Sequence, residues 1–102
     1  MEITKSDIRK YYYFIEIVDD KPICNYGQLV SILPKYNFQD DFASSYKREQ
    51  NYLFEVKEAS GQLKGKAIVN PEYIFEDLDS VIKYGVKNKI VILFSHSVLK
   101  IT

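Results

Sequence analysis

One histidine, one cysteine and two pairs of aspartates are the residues whose types could do chemistry. His96 lies between two serines and could act as a general base, while Cys24 could be a nucleophile if the fold brought it to His96. No orienting carboxylate stands near His96 in the sequence, and a lone cysteine is most often buried. We therefore interpret His96 as a turn residue and Cys24 as a core residue.

The aspartate pairs Asp19-Asp20 and Asp40-Asp41 could hold Mg²⁺ or Ca²⁺, because these cations prefer carboxylate oxygens. Turn and helix-cap roles explain both pairs without a metal. The sequence has no phosphate-binding glycine loop, no zinc-protease motif and no dinucleotide fingerprint. It therefore predicts a protein that is not an enzyme and that uses no cofactor and no metal.

Tyrosines are the most prominent candidates for binding, since the chain has nine of them and no tryptophan. Tyrosine rings supply flat, amphipathic contact area at interfaces. We predict that Tyr11, Tyr12 and Tyr46 bind an extended peptide at an open sheet edge in the seam between two similar motifs of the chain, with Lys47 and Arg48 available for an acidic neighbour. The alternatives are that these tyrosines pack in the core, or that the same edge pairs with a second copy as a homodimer.

Nucleic acid is the second class of partner, through a winged helix spanning about Asn25 to Val69. Two helices would precede a glycine-tipped hairpin, on which Lys64 and Lys66 would reach phosphate. The segment Gly65 to Phe75 resembles the strand that leaves the wing in some plasmid replication initiators. Residues 40–50, the candidate recognition helix, carry three acidic residues against two basic ones, whereas a phosphate-facing helix should be basic. DNA binding is therefore the alternative hypothesis.

Composition places the chain among single globular domains. Its 102 residues suit one domain, 1–102, and the 14 basic and 14 acidic residues leave no net charge to steer it onto nucleic acid. Zero net charge also lowers the barrier to self-association. No signal peptide and no run of membrane-spanning length is present, so we expect a cytoplasmic protein without a membrane partner.

A short segment recurs in the sequence. Tyr13–Ile17 matches Tyr52–Val56, and Gln28–Tyr36 matches Asp77–Tyr84 when one residue is left unmatched. Chance similarity is the alternative, but the order of the matches favours duplication. The predicted fold class is therefore α+β, with two similar strand–turn–helix motifs that share a sheet. The motifs span about 10–36 and about 50–84, followed by C-terminal strands at 89–101.

Periodicity and capping residues give the elements of these motifs. Lys10–Val18 is predicted as a central strand because it is apolar on both faces, and a turn follows at Asp19–Pro22. Asn25 is expected to cap the first helix, with Gln28 in the capping box. A hairpin is expected between strands at 51–58 and 66–69.

The end of the chain has the best-marked helix and the most apolar run. Asn70 and Pro71 are expected to begin this helix, and Gly85 to end it. Ile90–Phe94 has no alternating polar side chains and is predicted as a buried strand. Val98–Ile101 is predicted as a last strand.

The chain resembles one known group of proteins in its length, in a composition rich in Tyr, Ile and Lys, and in the apparent half-repeat. In these respects the chain is similar to small proteins of filamentous viruses that infect hyperthermophilic archaea. The resemblance implies a viral protein in the host cytoplasm and transfers no functional residue.

Overall fold

A six-stranded sheet and two helices form the protein, which is described by a computed structural model over residues 2–33, 52–57 and 63–99. The strands are β1 (Tyr11–Val18), β2 (Lys21–Ile32), β3 (Tyr52–Lys57), β4 (Leu63–Val69), β5 (Ile74–Phe75) and β6 (Leu93–Phe94). The helices are α1 (Leu78–Asn88) and α2 (His96–Leu99), with 3₁₀ turns at Lys5–Asp7 and Pro71–Tyr73. The strand order is β4-β3-β2-β1-β5, all antiparallel, and β6 pairs with β2 in parallel. The α+β fold class is confirmed.

The β1–β2 hairpin closes through a two-residue turn. Val18 pairs with Lys21, and the residues between them, Asp19 and Asp20, have φ angles of 51° and 63°. Hairpins of this length favour turns with positive φ at both central residues, and aspartate tolerates this conformation. The predicted turn is confirmed, and backbone conformation explains this aspartate pair.

The helix predicted from Asn25 is wrong, because β2 continues through the whole of residues 21–32. Gly27 weakens a helix by about 1 kcal/mol relative to alanine, whereas β-branched residues such as Ile23 and Val30 suit a strand. Pairing decides the outcome: β2 hydrogen-bonds to β1 on one side and to β3 on the other. A capping-box pattern cannot compete with two ladders of backbone hydrogen bonds.

Three strands pair with β2, which is the organising strand of the sheet. Its residues 21–28 pair with β1, and residues from Gly27 onward pair with β3. β6 lies beside Ile23 and Cys24, in the part of β2 that precedes the residues paired with β3. Gly27 stands where β3 joins, and an added Cβ would overlap the carbonyl oxygen of Glu55. Glycine therefore permits the close approach of β3 to β2.

The two predicted motifs do not adopt similar structures, so internal duplication is not shown. Leu29 lies in β2, whereas its match, Leu78, begins α1. Ile15 and its match Phe54 belong to different hydrophobic cores on opposite faces of the sheet. The neighbours also differ, because β1 lies between β2 and β5 while β3 lies between β2 and β4.

The start of α1 differs from the prediction at Asn70 and Pro71. Residues 71–73 form a 3₁₀ turn, and β5 then pairs with β1 by placing Ile74 opposite Phe14. Asp77 caps the helix, since its Oδ1 accepts a 2.8 Å hydrogen bond from the backbone N–H of Ser80. Two favourable caps compete along this segment, and pairing with β1 selects the later one.

The end of α1 also differs, because Gly85 lies inside the helix and is buried. The helix ends at Asn88, and Lys89 takes the left-handed conformation (φ 55°). A Cβ on Gly85 would lie 3.0 Å from Ile92 Cδ1 and 3.3 Å from the carbonyl oxygen of Ile90. This glycine therefore serves close packing of the returning chain and not helix termination.

The predicted buried strand at Ile90–Phe94 is wrong. Val91 is 81% exposed and Leu93 is 46% exposed, and only Leu93–Phe94 pair with the sheet. The predicted strand at Val98–Ile101 is also wrong over its described residues, which belong to α2. An apolar run without alternation does not indicate which of its residues face the core. Here β6 is short, so most of the run from Ile90 to Phe94 lies outside the core.

Two hydrophobic cores lie on the two faces of the sheet. The inner core contains Ile3, Tyr12, Phe14, Leu29, Tyr52, Phe54, Val56, Ala67, Val69 and Ile74. The outer core contains Ile15, Cys24, Val81 and Val98, with Tyr13, Tyr26, Phe75 and other half-buried residues packed against it. Residues 12–15 of β1 alternate between the two cores, which confirms that this part of the strand is covered on both faces, whereas Ile17 and Val18 at its end are exposed.

Candidate functional site

A cleft of about 560 Å³ opens on the inner-core face of the sheet. Its walls come from the end of β1 and the start of β2, from the end of β3 with the middle of β4, and from β6 with the residues that begin α2. The cleft exists because β3 and β6 take up different stretches of the same side of β2. Its position is therefore a consequence of the pairing of β2.

A hydrogen-bonded amide and carboxylate form the polar part of the cleft. Asn25 is buried, and its Nδ2 donates a 2.6 Å hydrogen bond to Oε1 of Glu16 on the neighbouring strand. The side chains share a face because Asn25 stands opposite Phe14, two residues before Glu16. This bond holds the carboxylate in a defined orientation at the cleft surface.

Apolar side chains make up most of the remaining lining. Val18 and Leu93 are 45% and 46% exposed and face the cleft beside the more buried Ile23 and Val56, whereas Phe94 lies at its margin, since pairing with Cys24 directs its ring toward the outer-core face. Exposed apolar groups that converge on one concavity are characteristic of interaction sites. The cleft can therefore remove apolar groups of a partner from water.

The backbone of β4 forms one side of the cleft. Among the described strands, β4 is an edge strand, and none pairs with its outer side. Alternate residues of an edge strand direct N–H and C=O groups away from the sheet. Gly65 lines the cleft, and an added Cβ there would meet nothing within 4 Å. Edge and cleft together offer hydrogen bonds and apolar contact to the same partner.

His96 and Cys24 do not form a catalytic pair. His96 is an exposed residue of the cleft lining, whereas Cys24 is buried in the outer core. Burial raises the pKa of the Cys24 thiol to about 12, so the reactive thiolate is scarce near neutral pH. Cys24 is thus a core residue, in keeping with its interpretation from the sequence.

The residues predicted to bind a peptide are not brought together. Tyr11 is 44% exposed and stacks on Tyr26 with 5.5 Å between ring centroids, whereas Tyr12 is 6% exposed and packs edge-on against Phe54. Adjacent residues of a strand point to opposite faces, so the two rings cannot share a surface. The prediction that Tyr12 is an outward contact residue is corrected. The other three predicted residues, Tyr46, Lys47 and Arg48, lie outside the described residues.

The predicted seam between two motifs is closed, because β2 and β3 hydrogen-bond to each other across it. Among the described strands, β4 and β5 are the two edges of the sheet, and β4 is the longer. Sequence reasoning missed Glu16, Asn25 and Gly65 as site residues. For Glu16 the signal was a glutamate on an otherwise apolar strand. Asn25 was instead assigned to a helix cap, and Gly65 to a hairpin loop.

The winged-helix alternative loses its first helix, because residues 25–32 belong to β2. Lys66 lies on β4 with its ammonium 3.8 Å from the Glu55 carboxylate, an arrangement that neutralises part of the charge expected to meet phosphate. The side chain of Lys64 and the candidate recognition helix at 40–50 lie outside the described residues.

Neither a metal site nor a membrane-spanning helix is found in the part of the chain that the structure describes. Over residues 2–33, 52–57 and 63–99, no three His, Cys, Asp or Glu residues are placed to share a metal ion. The pair Asp40-Asp41 lies outside these ranges. No helix in the same part of the chain has the length and apolar character needed to cross a membrane.

Comparison with known proteins gives no match to a protein-family model, to a curated protein or to a solved structure. The resemblance to small viral proteins therefore stays a prediction. Functional argument has to come from the site itself.

Proposed function

We propose that this protein is a non-enzymatic interaction module that binds an extended peptide along β4 and in the adjoining cleft. The observation that carries the proposal is the edge of β4, with which no described strand pairs on the outer side, beside a cleft of about 560 Å³. An added strand would take up the outward N–H and C=O groups of β4. Backbone pairing of this kind supplies affinity for any extended sequence.

Specificity would come from the side chains of the peptide that enter the cleft. Alternate residues of a strand point to the same face, so every second side chain of the peptide would lie over the cleft. Val18 and Leu93 favour apolar side chains there. The Glu16 carboxylate, oriented by Asn25, favours a hydrogen-bond donor or a cation at one of these positions.

An interaction module fits the chemistry of the cleft better than an enzyme does. His96 lines the cleft, whereas the Cys24 thiol is buried in the outer core, and its raised pKa leaves little thiolate. Binding requires only the backbone edge and the apolar wall. A protein or peptide partner is therefore the leading class.

Titration of the isotope-labelled protein with a library of extended peptides, followed by NMR, tests the proposal. We expect at least one peptide to shift the amide signals of β4 together with those of Leu93 and Phe94. Gly65→Phe should abolish this binding, because the open space at Gly65 lets a phenylalanine ring enter the cleft without a backbone clash. Gly65→Ala is the matched control and should bind within about threefold of the unchanged protein, since so small a group leaves the cleft open.

The proposal fails if no peptide perturbs β4 or the cleft, or if Gly65→Phe binds as tightly as Gly65→Ala. Duplex DNA provides the comparison with the second hypothesis. Shifts at Lys66 that duplex DNA induces and that weaken steeply with salt, without any response to peptides, would replace peptide binding by DNA binding.

A further inference from the structure

An exposed apolar groove runs along the outer side of α1. It has a volume of about 370 Å³ and lies between the helix and the segment 89–94. Ile82 and Val86 are 49% and 75% exposed, and Ile90 and Val91 continue the apolar surface. The groove is separate from the cleft beside β4, with Phe94 as the one lining residue given for both.

Spacing places the exposed apolar residues of α1 on one stripe. Ile82 and Val86 are four residues apart and therefore neighbours on the helix surface, with Asp79 one turn before them. Val81, on the other side of the helix, is buried against the sheet, and Gly85, at the floor of the groove, is buried against the returning chain. The helix is thus apolar on both sides, and only the inner side is covered by the described residues.

Charge along this stripe is divided between the two ends of the helix. Asp77 and Asp79 stand at the start, with Lys83 3.1 Å from the Asp79 carboxylate one turn on, whereas Lys87 and Lys89 stand at the end. A second helix lying antiparallel across the first would therefore place an acidic end against a basic end. The helix dipoles favour the same antiparallel orientation.

We propose that the outer face of α1 binds α1 of a second copy of this chain, forming a two-fold symmetric, antiparallel helix pair. An axis midway between Ile82 and Val86 sets Ile82 against Val86 of the second copy. The same register sets Asp79 against Lys89 of the second copy, and the two-fold symmetry makes each contact twice. The chain's zero net charge removes long-range repulsion between copies.

The dimer should be weak, because α1 has only 11 residues and is about 16 Å long. Sedimentation equilibrium of the full chain from about 10 µM to about 1 mM covers the range of such affinities. We expect the average mass to rise toward that of a dimer across this range. A single mass of one chain at every concentration would overturn the proposal.

Val86→Lys should leave a monomer at every concentration, and at about 10 µM, where the unchanged protein is mainly monomeric, its melting temperature should match that of the unchanged protein, because Val86 is 75% exposed in a single chain. Ile68→Lys is the matched control, since Ile68 is 62% exposed on β4 and the substitution adds the same charge away from α1. It should still dimerise. A dimer that survives Val86→Lys, or a large fall in melting temperature on this substitution, would overturn the proposal.

The register has its own test in a charge exchange. Asp79→Lys and Lys89→Asp should each weaken the dimer about tenfold, because each places like charges together twice. The double variant restores both pairs and should dimerise within about threefold of the unchanged protein. If the double variant is weaker than either single variant, the antiparallel register is wrong.

Cross-linking supplies a second readout that does not depend on charge. Under mild oxidation, a mixture of Ile82→Cys and Val86→Cys should form more disulfide dimer than either variant alone. The native Cys24 does not interfere, because it is buried and its thiol pKa is about 12. More disulfide in the Val86→Cys variant alone than in the mixture would overturn the register.

Discussion

Gly27→Ala tests whether the close approach of β2 and β3 holds the sheet together. A Cβ at this position would overlap the carbonyl oxygen of Glu55 and lie 3.2 Å from Phe14 Cε1. The carbonyl belongs to the backbone of a paired strand, so it cannot rotate away as a flexible side chain would. Relief requires a shift of the β2–β3 ladder or of the inner core.

Overpacking of this kind costs about 1–3 kcal/mol, and the backbone clash places Gly27→Ala near the upper end. Gly65→Ala is the matched control, because its Cβ meets nothing within 4 Å. With space available, replacing glycine by alanine reduces the freedom of the unfolded chain and stabilises by about 0.4–1 kcal/mol.

Urea denaturation followed by circular dichroism measures both variants. With a slope near 1 kcal/mol per M of urea for a small domain, the midpoint for Gly27→Ala should fall by about 2–3 M. The midpoint for Gly65→Ala should be equal or higher. If the two variants have the same midpoint, the close approach at Gly27 does not stabilise the sheet.

The remaining predictions concern the inner core, the buried thiol and the cap of α1. Phe54→Ala should destabilise the protein by about 3–5 kcal/mol, since the ring is fully buried and stacks on another ring. Ile68→Ala, on the exposed face, should change the free energy of unfolding by less than about 0.5 kcal/mol. Urea midpoints of the two variants measure this difference. Cys24 should react with a disulfide reagent at pH 8 only after opening or unfolding, because its pKa of about 12 leaves the thiol protonated; rapid labelling of the folded protein would contradict the burial. Hydrogen bonds from Ser80 lower the pKa of Asp77, so its stabilising effect is present above its ordinary pKa and is lost as pH falls through the lowered value. Asp77→Ala should therefore lower the melting temperature at pH 7, and this difference should shrink on acidification.

Local chemistry made part of the fold predictable. β1 follows from aromatic and β-branched residues on both faces, and its turn follows from Asp19-Asp20, which suit positive φ. The β3–β4 pairing follows from apolar segments on either side of a glycine-containing loop. In each case the residues that decide the structure are neighbours in sequence.

Pairing between distant segments made the rest unpredictable. Asn25 and Gln28 satisfy a capping-box pattern, but β2 is selected by β1 and β3, whose contribution no local pattern reveals. The cleft was missed for the same reason, because its walls come from four separate stretches of the chain. Alternation along the predicted strand at 10–18 already places Tyr11 and Tyr12 on opposite faces; what no local pattern reveals is that the inner core covers the face of Tyr12.

The way β6 and α2 are fastened to β2 makes Cys24 a sensor of local opening. The backbone N–H of Ser95 donates to the carbonyl of Cys24, and the N–H of Tyr26 donates to Oγ of Ser97, each at 3.0 Å. These few bonds hold residues 95–97 against β2, and the buried Val98 packs over the thiol. Much of the neighbouring apolar run, residues 90–94, is exposed. Because small segments open at lower free energy than the whole domain, the thiol should become accessible in fluctuations that leave the β1–β2 hairpin intact. The labelling rate of Cys24 would then measure the detachment of residues 93–99, and its dependence on urea would distinguish that event from complete unfolding.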